Sequence, residues 1–216
     1  MRSQRGFVLS ELMVGVFVLF LFLGIAYAAL VPVLSYIGPA QAKINTQQNA
    51  VPLLYKLQRE VRESDYRAIY VWQSGSAKSL PSTVTDIQTF AVATSKTGTA
   101  GAACFPGGDF QTVPGFGTPY WQGFEVFMLQ NAALKCVYEP LVTPEWANFP
   151  SSSDAATAIT AGLAVTNPSV FGNAVLDVKV RADSTAYVTD FLIKAVSTVN
   201  GRSNATTYTE DILTRN

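Results

Sequence analysis

Apolar residues run almost unbroken from Phe7 to Leu34 and thereafter return only at spaced positions. From Leu12 through Ala42 no side chain carries a charge. The stretch Leu12–Leu34 is longer than the roughly 20 residues a helix needs to cross a hydrocarbon core of about 30 Å. A membrane-spanning helix is predicted there. Pro32 and Pro39 lie inside or just after the run, and each removes a helix hydrogen bond and crowds the preceding turn. The expectation is a kink or weak point, with local unwinding favoured at Gly38-Pro39.

Beyond the prolines, Leu53, Leu54, Leu57 and Val61 recur at helical spacing, with Lys56, Arg59, Glu60, Arg62 and Glu63 between them. This predicts an amphipathic helix with one charged, solvated face. After Ser64 the period shortens to two. Strands are predicted at Ala68–Trp72, Asp86–Thr94, Gly123–Gln130, Leu134–Tyr138, Ala174–Arg181, Tyr187–Val196 and Thr206–Thr214. In Leu176-Asp177-Val178-Lys179-Val180-Arg181 three aliphatic residues face one side and three charges the other, so one face of that strand is wet. Asn200-Gly201 tolerates the positive φ of a tight hairpin turn. Long loops are expected over Ser95–Gly117 and Pro140–Ser153, and Ser153-Asp154 caps a short helix ending near Gly162. The pattern as a whole is α+β: a long N-terminal helix packed on an antiparallel β-sheet head.

Composition adjusts this picture in four ways. The 216 residues are 49% apolar and 14% charged, and the apolar excess is crowded at the front, as one domain with a membrane segment requires. Fifteen basic residues balance fifteen acidic ones, so no global field draws in nucleic acid. Histidine is absent, which removes the usual general base near neutral pH and the commonest metal ligand. Of the two cysteines, Cys104 and Cys136, neither sits in a metal-ligand spacing. A single disulfide is the simplest account and would place the head in an oxidising compartment, with two buried free thiols as the alternative.

Arg2 and Arg5 precede the uncharged run, and the positive-inside rule keeps them cytoplasmic while the chain beyond Lys43 crosses over. One acidic residue, Glu11, stands at the edge of the run. A carboxylate deep in a bilayer costs about 2.5–3.5 kcal/mol on the insertion scale, so Glu11 either stays at the hydrated interface or has a partner. The order of residues around it, Arg5-Gly6-Phe7-Val8-Leu9-Ser10-Glu11 followed by the apolar run, resembles the processing site of type IV prepilins.

That resemblance implies cleavage after Gly6 by a prepilin peptidase, methylation of the new amine on Phe7, and a mature fifth residue at Glu11. In an apolar filament core the Glu11 carboxylate would pair with the terminal ammonium of a neighbouring Phe7 and set the register between subunits. It divides the chain into a leader over 1–6, a transmembrane and filament-core helix over 7–36, an amphipathic second half of the stem over 37–65, and a β-rich head over 66–216. The stem sequence Leu53–Arg62 and the ending Leu213-Thr214-Arg215-Asn216 are similar to the J-type minor pseudopilins of type II secretion and the W-type minor pilins. The implied protein is a minor pilin or pseudopilin that primes or caps a filament. It is held in an inner membrane with its head outside the cytoplasm, and its partners are other pilin subunits and the membrane assembly machinery. A major structural pilin is the nearest alternative. Ala26-Tyr27-Ala28 also offers a site for ordinary signal peptidase, releasing a protein that begins at Ala29. An uncleaved anchor carrying an extracytoplasmic binding domain is a further reading.

Signs of catalysis are scarce. No phosphate-binding loop, nucleophile elbow or zinc-ligand cluster occurs, and Gly107-Gly108 lacks the lysine of a phosphate cradle. A carboxylate-pair glycosidase, for instance with Glu125 and Glu139, gains no support from their spacing. No enzyme activity and no cofactor are expected, and no calcium loop is present. Trp72, Phe110, Phe116, Tyr120, Trp121 and Trp146 are aromatic enough to form a face for DNA with basic loop residues, or simply to pack core and loops. Asn204-Ala205-Thr206 matches a glycosylation sequon, most simply by chance.

Overall fold

The computed structural model describes residues 4–104, 110–183, 188–199 and 202–213. Helix α1, Gln4–Glu63, extends for 60 residues, about 90 Å at helical rise. It passes Pro32, Pro39 and also Pro52 without leaving helical conformation, so the local unwinding expected at Gly38-Pro39 is absent. All three prolines face outward, and each lost backbone bond is flanked by intact turns. The Ser35 hydroxyl donates to the Pro32 carbonyl at 2.7 Å, bracing that turn.

Among the described residues, eleven strands follow in two antiparallel sheets. The larger is ordered β2 (Ser76–Ser79), β1 (Ile69–Gln73), β4 (Thr89–Thr94), β6 (Trp121–Gln130), β7 (Ala133–Glu145) and β5 (Ala102–Ala103), with β8 (Ser169–Asn173) also on β7, and the smaller β11 (Arg202–Leu213), β10 (Val188–Val199), β9 (Val175–Asp183) and β3 (Thr85–Ile87). Strands β1 (Ile69–Gln73) and β2 (Ser76–Ser79) make a hairpin in which Ser74 and Gly75 take positive φ of 52° and 78°. That two-residue turn follows the right-handed twist of the strands. The stretch expected as one strand over Asp86–Thr94 is two: β3 (Thr85–Ile87) joins the small sheet and β4 (Thr89–Thr94) the large one. Gln88 is the corner, and its carbonyl accepts from Leu129 N–H at 2.7 Å.

Strand β6 (Trp121–Gln130) turns through Asn131-Ala132 into β7 (Ala133–Glu145), which is far longer than the expected Leu134–Tyr138. Part of the anticipated Pro140–Ser153 loop is therefore strand. Prolines are tolerated there because the outer neighbour β5 (Ala102–Ala103) reaches only Val137 and Tyr138, leaving no ladder donor missing beyond them. Helix α2 (Ser152–Ala164) is capped by Ser151 rather than Ser153: the Ser151 hydroxyl takes the Asp154 N–H while Asp154 takes the Ser151 N–H, a reciprocal box.

Strand β8 (Ser169–Asn173), unforeseen in the pattern, precedes β9 (Val175–Asp183). Val178 and Val180 point inward as expected, but Leu176 is exposed, because a bulge places Val175 rather than Leu176 opposite Ala195. Strands β10 (Val188–Val199) and β11 (Arg202–Leu213) pair over their full length to Val199 opposite Arg202. The expected Asn200-Gly201 turn, together with Tyr187 and Thr214, lies outside the described residues.

Two cores result. Leu53, Leu54, Leu57 and Val61 of α1 join Phe90, Phe127, Phe191 and Ile193 between the helix and both sheets. Ala155, Ala158 and Ile159 of α2 pack with Phe124, Val126 and Val137 on the reverse face of the large sheet. Gly172 of β8 lies so close beneath the stem that a Cβ there would clash with the Leu53 side chain, whose Cδ1 would be only 1.7 Å from it, so only glycine lets α1 settle at this depth.

Candidate functional site

The feature demanding explanation is the first half of α1. From Ser10 through Gln41 every residue is exposed apart from Ser35 and Gly38, which are half-shielded. Phe17, Phe20, Phe22 and Tyr27 are each about 70% exposed, on a helix that is long and apolar enough to cross a membrane. Soluble monomers rarely leave apolar patches beyond a few hundred Å² open to water. By length and composition this helix half could span a membrane.

The sequence-assigned residues stand at its start. Gly6 and Phe7 are in the opening turns of α1, and Glu11, one turn beyond Phe7, is exposed at the edge of the uncharged run. Four residues apart on a helix is one turn. A carboxylate at this height is therefore free to face a neighbouring chain rather than its own head.

From Ala42 onward the same helix is packed. Ala42, Thr46, Ala50, Leu53, Leu57 and Val61 form a continuous buried stripe at helical spacing. Thr46 satisfies its hydroxyl within the stripe by donating to the Ala42 carbonyl at 2.7 Å. Glu60, expected on the solvated face, is instead buried at 3% exposure. Its partner is Lys96, just after β4, whose Nζ lies 2.9 Å from Glu60 Oε2 and 2.5 Å from Glu63 Oε2. Burial alone would lower the Lys96 pKa, but hydrogen bonds and charge from Glu63 and Glu60 outweigh it and leave it raised. Arg59 also reaches Glu60 Oε1, at 2.9 Å. A charged clamp thus fastens the end of the stem to the head. Nothing local in the sequence announces it, since the partners are 36 positions apart.

No family model, no curated protein and no solved structure matches this chain. Its reading therefore rests on its own residues.

Cys104 and Cys136 are joined in a disulfide with their Cα atoms 5.5 Å apart, pinning the loop after β4 onto the buried middle of β7. The carboxylates Glu125 and Glu139 do not share a cleft. Glu125 sits opposite Tyr138, and Glu139 opposite Phe124, so the two occupy opposite faces of one ladder. Burial raises the Glu139 pKa, with the Gly101 N–H opposing it by donating a hydrogen bond at 3.2 Å. Among the described residues no three Cys, Asp or Glu side chains gather closely enough to hold a metal ion.

The six aromatics expected as a binding face or as core and loop packing are likewise dispersed. Trp72 packs beside the α2 core, Trp121 is buried, and Phe116 and Trp146 are exposed. Trp121 and Trp146 do line one cavity, in company the sequence did not indicate: Arg67 and Phe149.

Proposed function

We propose that this chain is a minor pilin or pseudopilin, whose exposed apolar half-helix holds it in the inner membrane and then packs among the helices of a type IV pilus-like filament. The observation that carries the reading is the coincidence of two features at one end of α1. The Arg5-Gly6-Phe7-Val8-Leu9-Ser10-Glu11 sequence opens a helix half that is exposed from Ser10 to Gln41 apart from the half-shielded Ser35 and Gly38, whereas the other half is fixed to the head. An apolar rod with a firmly attached head suits transfer from lipid to a helical bundle, because both surroundings satisfy the same side chains. In that bundle a lone carboxylate is costly unless matched, and the ammonium of a neighbour's mature Phe7 matches it. Glu11 then sets the register. Priming or capping is mechanical work, and the role assigned here needs no catalysis.

The test is the mass of the mature N-terminal peptide together with filament recovery. A methylated start at Phe7, and loss of Glu11→Ala from sheared filaments by about tenfold or more, is the expected pair of results. A start at Met1 or at Ala29 would overturn the reading. Unchanged incorporation of Glu11→Ala would remove the register role.

A further inference from the structure

Directly after α1 the chain forms a rigid polar hook. Asp65 Oδ1 accepts from Arg67 N–H and Nε–H, each at 2.9 Å, and Oδ2 accepts from Arg67 Nη2–H at 2.8 Å. The guanidinium also stacks 4.2 Å from the ring centre of Phe149. Phe149 in turn lies 6.2 Å from Trp121. The segment carrying Trp146 and Phe149 is tied to β1 where the Tyr70 hydroxyl donates to the Pro150 carbonyl at 2.6 Å. These elements enclose a cavity of about 340 Å³ with Trp146 at its open side, 59% exposed, and Ser64, Thr118 and Asn148 among its polar lining.

Three properties define what fits. The cavity is at the lower end of the roughly 300–1,000 Å³ of ligand pockets, so the occupant is one or two rings in size. Among the described residues its charged lining groups are Asp65 and Arg67, which pair with each other in a fork, so the lining carries no net charge to select a phosphate or an amine. Its walls combine flat indole surface with hydroxyl and carboxamide groups. We propose that this cavity binds a neutral saccharide. A pyranose ring has an apolar C–H face, whose positive edge of hydrogens meets the negative face of an indole, and a rim of hydroxyls that both donate and accept. Trp146 supplies the platform, and Asn148 and Thr118 supply hydrogen bonds to the rim. A polyproline segment also favours aromatic walls, but it brings no donors for the Asn148 and Thr118 oxygens.

The inference does not depend on filament entry. Full-length chain in an amine-oxide detergent, which carries no sugar headgroup, is titrated by calorimetry with maltose, cellobiose, lactose and chitobiose. A proline decapeptide and a deoxythymidine oligomer are the comparison ligands. Saturable binding of at least one disaccharide is expected below about 10 mM, weakened about tenfold or more by Trp146→Ala and less by Asn148→Ala, with Trp72→Phe unchanged. The affinity should hold between about 50 and 200 mM salt, where phosphate binding would collapse. No saturable binding by any disaccharide, binding that survives Trp146→Ala, or a response confined to the decapeptide or the oligonucleotide would each overturn the proposal. Trp146 is exposed, so its replacement leaves the fold intact, as an unchanged melting curve will verify.

Discussion

Residues 10–41 and 42–63 belong to one unbroken helix, yet their surroundings are opposite. The first stretch offers large apolar side chains on every side and leaves them exposed, whereas the second buries a narrow stripe and presents charge elsewhere. The difference is in side-chain distribution rather than in helix propensity. A helix apolar all round needs an apolar environment on all sides, and a striped one needs a single packed face. The division teaches that the head holds the stem by its far end and leaves the rest of it exposed.

That division can be broken most strongly at the clamp. Replacing Lys96 by Met removes the cation that Glu60 and Glu63 share and leaves Glu60 only the half-exposed Arg59, so the loss should approach the lower end of the about 3–5 kcal/mol that breaking a buried pair costs. Denaturant unfolding followed by head fluorescence should show the loss. The wild type should carry a matching pH signature. Because the folded pKa of Lys96 is raised, its contribution is complete below about 10.5 and is lost as pH rises through the folded value. An alkaline loss of stability should therefore be steeper in wild type than in Lys96→Met; equal slopes would show that the clamp is not the source.

A smaller effect is expected at Leu57, fully buried in the second stretch. Leu57→Ala should cost about 2–5 kcal/mol in the same assay. The matched change in the first stretch, Phe20→Ala, should leave head stability within about 0.5 kcal/mol, since Phe20 is exposed. If Phe20→Ala destabilises the head as much as Leu57→Ala does, the division between the two stretches is wrong.

How far the sequence alone reaches follows the range of the interactions involved. The apolar run and the stripe of Leu53, Leu54, Leu57 and Val61 are local periodicities and can be read directly. The capped helix is legible to within two residues, because Ser151, Ser153 and Asp154 all have capping chemistry and only the backbone turn selects among them. Asp86–Thr94 misleads because a strand that changes sheets at a corner keeps its alternation. Strand β2 is short and polar, so it exists through its hairpin turn and its pairing with β1 rather than through any hydrophobic pattern. Glu60 is misplaced for a related reason: a charge on a helix reads as solvated until a distant lysine is brought to it. The aromatic cavity is equally hidden, since Arg67, Trp121, Trp146 and Phe149 come from three separate segments.

Gly172 has a consequence for how this protein can change over generations. With Leu53 already occupying the space a methyl group would need, neither position is at liberty to vary alone. Enlarging residue 172 pushes the stem off the sheet, and shrinking residue 53 leaves a void beneath it. Only a paired exchange, such as Gly172→Ala with Leu53→Val, moves between acceptable states. The double variant should be more stable than the sum of the two single losses allows, by about 0.5–3 kcal/mol. The seam thus behaves as an inherited unit of two residues, and relatives with bulkier side chains at one position should carry smaller ones at the other.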